Sequence, residues 1–193
     1  MIGKYITLTL LLGSFVWADT DFASLAKKAL EQNGYSAQEI PTSAISNQLQ
    51  MTALDLLIQR GPNFHKPYQV AYAVESFVTK ITLPSQLEAF KVFNQIDNID
   101  IWVNGRQSLV MTNDFQIDIL KLTRSKNSWM SVQALLEPIS KINNKDQRDA
   151  IRIFYEQNAG HLSTEALNAI LLTTQKMGAG SGSCVGFYGM SAL

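Results

Sequence analysis

The side chains that could do chemistry in this chain are few and far apart. His65 and His161 are its two histidines and Cys184 its one cysteine. A metal site needs several His, Cys or carboxylate ligands converging, and neither histidine belongs to a paired motif. Asp97, Asp100, Asp114 and Asp118 are close in sequence but lack the alternate spacing and sixth-position glycine of a calcium loop. No metal and no cofactor are therefore expected. A Cys–His nucleophile would need a thiolate held beside its base, whereas Cys184 sits in Gly-Ser-Gly-Ser-Cys-Val-Gly. Glu75 is the carboxylate that stands out. It interrupts the apolar run Val70-Ala71-Tyr72-Ala73-Val74-Glu75-Ser76-Phe77, and a carboxyl desolvated by such neighbours has the raised pKa of a general acid for glycoside cleavage.

Glu75-Ser76 followed by the aromatic Phe77 resembles the catalytic helix of lytic transglycosylases. The resemblance covers these few residues and implies peptidoglycan cleavage with Glu75 as the acid. The Gly-Leu-Met-Gln segment that those enzymes carry downstream is absent. On a helical wheel Glu75 lies beside Tyr68, Ala71, Tyr72 and Thr79, a less apolar face than that of Val74 and Phe77. A partly exposed helix carboxylate is the expected reading, and no catalytic residue is assigned.

Composition excludes several other classes. The chain has 193 residues, 46% hydrophobic and 17% charged, with sixteen Lys and Arg against sixteen Asp and Glu. That is the length of one domain and too apolar for disorder. With no basic excess, no nucleic-acid partner is expected. One cysteine allows no internal disulfide.

The N-terminus reads as a secretory signal peptide over residues 1–18. Lys4 supplies the charge, Tyr5 to Trp17 the apolar core, and Val16-Trp17-Ala18 the cleavage site before Asp19. That core would rise only about 20 Å as a helix, short of the roughly 30 Å hydrocarbon layer. No later run approaches a membrane span, so no transmembrane segment is expected after cleavage. Export without disulfides points to a bacterial periplasmic or secreted protein.

The elements that must position these groups read mostly as amphipathic helices. Four glycines between Asp19 and Met177 leave room for long elements and few turns. Asp21, Ser85, Ser128, Asp146 and Ser163 are the expected caps, with Glu88 closing a capping box on Ser85. Pro67 opens one helix, and Pro138 must kink or end another. Ile99, Ile101 and Val103 alternate with polar or outward positions before Asn104-Gly105, and Leu109 and Met111 alternate beyond it. Asn-Gly between alternating apolar residues predicts a β-hairpin near residues 99–111, with Trp102 on its outer face as a binding anchor. Phe115 to Leu122 fits strand or short helix. No internal repeat of fixed period is evident, which argues against a solenoid.

The expected fold is thus mainly α: a compact bundle of about six helices over residues 19–177 with one small hairpin. A Gly/Ser-rich tail follows over residues 178–193. Its Phe187 and Tyr188 are candidate binding residues, and Cys184 is a free thiol able to link a homodimer. Set against the entropy of ordering its glycines, these anchors favour a mobile tail in the isolated protein. The expected function is a non-enzymatic binding protein of the bacterial cell envelope, of inhibitor, immunity or assembly-factor type, with another envelope protein as partner. The alternative is the glycosidase using Glu75. Mass spectrometry of the envelope fraction should find the mature chain beginning at Asp19; an intact Met1 there would overturn the export reading.

Overall fold

The computed structural model describes residues 20–59, 61–62, 65–94, 101–124 and 129–178, leaving aside the side chains of 101–104, 129–131 and 176–178. Residues 1–18, proposed as the signal peptide, and Cys184, Phe187 and Tyr188 lie outside them.

Nine α-helices occur among the described residues, and no strand does. They are α1 (Phe22–Gln32), α2 (Gln48–Ile58), α3 (Pro67–Ser76), α4 (Pro84–Asn94), α5 (Ile101–Ser108), α6 (Asp114–Arg124), α7 (Trp129–Ser140), α8 (Lys145–Gln157) and α9 (Thr164–Gly178). Mainly α therefore holds, with more helices than the six expected. Helix α1 starts at Asp21, whose carboxylate accepts from the Ser24 amide at 3.0 Å. It ends at Gly34, whose φ of +81° lets the Tyr35 amide return to the Leu30 carbonyl at 3.0 Å.

From α2 onward the chain repeats one construction. An almost completely buried apolar residue is followed five positions later by a buried glutamine: Ile45 and Gln50, Ile81 and Gln86, Met111 and Gln116, Ile142 and Gln147. The glutamine is at the third position or so of a first helix. Its Oε1 accepts a backbone amide from the preceding turn, that of Ser46 at 2.8 Å, Thr82 at 2.8 Å, Thr112 at 2.6 Å and Asn143 at 2.9 Å. In three of the four the residue three before it, Asn47, Asn113 or Asn144, caps the helix by accepting the glutamine's own amide. In the first three units its Nε2 donates across to the end of the second helix: to Thr79 O at 2.7 Å, Leu109 O at 3.0 Å and Ser140 O at 2.7 Å. Each of these three glutamines thus ties the start of a first helix to the place where its partner helix stops.

The units α2/α3, α4/α5, α6/α7 and α8/α9 stack in chain order. First helix packs on first helix, α2 on α4, α4 on α6 and α6 on α8, while α3 packs on α5 and α7 on α9. Helix α4 is consequently covered on two sides. Leu87 and Phe90 join the apolar cluster that reaches back to Ala26, and Ala89, Val92 and Phe93 join the one that runs on to Leu171. The end helices differ: α1 buries only Ala26 and Leu30, and α8 only Gln147, Ile151 and Tyr155. The repeat escapes a search for a fixed period because its glutamines stand 36, 30 and 31 positions apart.

The expected hairpin near residues 99–111 is overturned. Residues 101–108 are helical, so Ile101, Trp102 and Val103 are on α5, and Ile99 lies outside the described residues. Gly105 is buried mid-helix and is not among the residues of positive φ. Its lack of a side chain serves packing instead. A Cβ there would come within 2.3 Å of the Phe77 ring, and that ring lies tilted by 49° to the ring of Phe90, with centroids 5.1 Å apart. Phe115 to Leu122 is helical, within α6. Several caps also move. Asn144 rather than Asp146 caps α8; Gln86 rather than Glu88 closes the start of α4, while Ser85 Oγ donates to Met111 O at 3.0 Å. Ser163 does cap α9, accepting from Ala166 N at 3.1 Å. Pro138 is inside α7, which ends two residues later. Ser128 is outside the described residues.

Gly105→Ala should therefore destabilise the protein although alanine is the better helix former by about 1 kcal/mol. Overpacking against Phe77 costs roughly 1–3 kcal/mol, and Phe77→Leu should recover part of that loss in the double variant. Urea unfolding of the four proteins checks this; a Gly105→Ala variant more stable than the parent would show that the approach is not tight.

Candidate functional site

The stacking leaves the outer face of the second helices open. In α3, Val70, Ala73 and Val74 point into the core, which turns Tyr68, Tyr72 and Glu75 to solvent on one stripe at four- and three-residue steps. Tyr68 is 69% exposed and Tyr72 43%. The helix is fixed at its start by Pro67 and by Gln69 Oε1, which accepts the Lys66 amide at 2.8 Å. The neighbouring helix α5 adds Arg106. Its guanidinium lies 5.6 Å from the centre of the Tyr72 ring and donates to the Tyr72 hydroxyl. Cation–π contact and hydrogen bond together hold two long side chains in one arrangement across the first and second units.

Glu75 stands exposed on this face, one turn beyond Tyr72. Trp102 precedes Arg106 by four positions, one turn along α5, and its side chain is outside the description. Cys184, Phe187 and Tyr188 are outside the described residues altogether. His65 is buried and His161 exposed. Among the described residues no group of three or more His, Cys, Asp and Glu is arranged to hold a metal ion. Nor is any helix among them long and apolar enough to cross a membrane.

Arg106 is the residue that sequence reasoning missed, because reading residues 99–111 as strands separated it from α3. The four-residue step from Trp102 to Arg106 was the available signal. The first helices carry a different surface, a chain of ion pairs between units. Glu88 on α4 meets Lys91 at 2.6 Å and Lys121 on α6 at 3.5 Å, and Arg148 on α8 meets Asp118 on α6 at 3.2 Å. The hydrogen bond from Lys91, aided by Lys121, holds the Glu88 carboxyl below its usual range. These pairs are solvent-accessible and contribute little each.

Asp55 occupies on α2 the position that Lys91, Lys121 and Arg152 occupy on α4, α6 and α8, five residues after the glutamine. Burial pushes its carboxyl up. No protein-family model matches the chain, and neither the curated proteins nor the solved structures include a significant match to it.

A carboxyl whose folded pKa is raised costs stability once it ionises, and the cost disappears as pH falls through the raised value. Asp55→Asn should therefore stabilise the protein at neutral pH, with a gain that shrinks on acidification. Thermal melts of both proteins between pH 7 and pH 3 check this; a constant difference, or a loss at pH 7, would show that Asp55 makes a favourable charged interaction.

Proposed function

We propose that this is an exported, non-enzymatic interaction protein of the bacterial cell envelope, which binds another protein through the outer face of α3 and α5. The exposed Tyr68–Tyr72–Arg106 cluster carries this reading. Tyrosine and arginine are the residue types enriched at the energetic centres of protein interfaces, since they combine large contact area with a polar end. Here they stand on helices rather than loops, and the Arg106–Tyr72 contact orders them before any partner arrives, so less entropy is lost on binding. Balanced net charge suits a specific protein contact better than a general electrostatic one. The export signal over residues 1–18 supports placement in the periplasm or outside the cell, and Trp102, one turn from Arg106, extends the same helix.

The test is site-specific photo-crosslinking in intact cells. A crosslinker at position 68 should yield one discrete adduct with an envelope protein, and one at position 153, on α8, should not. With that partner purified, Tyr72→Ala or Arg106→Ala should each weaken binding by about 30-fold, the effect of losing a hot-spot residue worth 2 kcal/mol. Equal labelling from both positions would overturn the assignment of this face. Clearing of purified peptidoglycan by the wild type, abolished in Glu75→Gln, would replace the binding reading with the glycosidase.

A further inference from the structure

The last unit of the stack presents to solvent what an earlier unit presents to its successor. On α4 the face turned to the next unit is Ala89, Val92 and Phe93, three, six and seven positions after Gln86, with Glu88 at its edge. The same positions on α8, counted from Gln147, are Ala150, Ile153 and Phe154, with Asp149 in the place of Glu88. No further unit follows among the described residues. Ala150 and Phe154 are partly covered by the core of their own unit, whereas Ile153 is 54% exposed. The acidic position has a consistent use. Glu88 meets Lys91 on its own helix and Lys121 on the next first helix, and Asp118 meets Arg148 on the next. Asp149 meets Arg148 of its own helix at 2.8 Å and, among the described residues, no cation from a following unit.

The opposite end of the array carries the complement. On α1, Ala26 and Leu30 point into the core, which turns Leu25 and Lys28 outward, one turn apart. Leu25 is 45% exposed, and Lys28 is exposed as well. One end helix thus pairs an exposed aliphatic residue with an acid one turn away, and the other pairs an exposed aliphatic residue with a base.

We propose that copies of this protein associate head to tail, α1 of one copy docking on the open face of α8 of another, in the place that a further first helix would take. Laid antiparallel, the two one-turn spacings coincide, so that Leu25 covers Ile153 where Lys28 reaches Asp149. Burial of the two aliphatic side chains supplies the attraction. The ion pair, worth little by itself, sets register and direction and repeats the acid-to-next-cation contact that joins the units within one chain. Because the two faces differ, the contact is heterologous, and each added copy leaves one α1 and one α8 open. It uses neither α3 nor α5 and does not rest on the binding face proposed above. A crosslinked product at position 153 would contain this chain alone, which separates it from an adduct with another envelope protein at position 68.

Sedimentation of the purified protein tests it, under reducing conditions that keep Cys184 from linking copies. Association should grow with concentration. Leu25→Glu and Ile153→Asp should each weaken it at least about tenfold. Both positions are exposed, so the variants should melt as the parent does. Lys28→Glu should weaken association about threefold, and Asp149→Lys in the same chain should restore it. The deciding measurement mixes the two acidic variants. Each alone should stay monomeric, whereas together they should form a complex of two copies and no more, through the intact α1 of Ile153→Asp and the intact α8 of Leu25→Glu. A parent protein that stays monomeric at every concentration would overturn the proposal. So would association lost in Ile153→Asp but unchanged in Leu25→Glu, which would assign the contact to a symmetric pairing of two α8 faces.

Discussion

A side-chain amide is the joint on which this architecture depends. Two antiparallel helices in a hairpin have four ends, and their orphan amides and carbonyls must be satisfied away from water. Gln86 and Gln116 do this for both ends of a hairpin at once, with Oε1 closing the start of the first helix and Nε2 the end of the second. Gln116 is 1% exposed and donates to Ser140 and Ile142 together. A glutamine so placed fixes the hairpin's length as well as its angle, because its reach sets where the second helix must end. The next buried apolar residue then begins the following hairpin in register.

Once the hairpins are joined in this way, stacking follows from burial. Each inner first helix has an apolar face toward the unit before it and another toward the unit after it, so α4 sits between two continuous apolar clusters rather than at the edge of one. Close packing then makes local demands. Phe77 fills the space between α3, α4 and α5, and the backbone of α5 approaches so near that only glycine fits at position 105. A glycine in mid-helix weakens that helix by itself, and the cost is offset by the packing it permits.

The proposed binding surface is a product of the same geometry. Because the first helices spend their sides on neighbours and pair their remaining charges between units, the second helices are left to carry a distinctive exterior. Tyr72 and Arg106 belong to different hairpins and are separated by 34 residues, yet they meet because α3 and α5 stack. An array of this kind can vary such positions without disturbing its interior, which is why stacked-helix proteins serve so often as binding scaffolds.

The sequence by itself determined the helical class and the starts of α1, α3 and α9 at Asp21, Pro67 and Ser163, since these depend on spacing and capping within one turn. It also separated the inward Val70, Val74 and Phe77 from Tyr68, Tyr72 and Glu75. Only the tertiary structure decided what Asn104-Gly105 does. The same dipeptide suits a tight turn, where positive φ matters, and a helix crossing, where the missing side chain matters, and the ring of Phe77 selects the second. The repeat is likewise weakly marked in the chain. Each unit shows one glutamine five positions after an apolar residue at an irregular period, and the bonds that join the first three hairpins reach acceptors 23 to 29 residues away, which only two folded helices bring within reach.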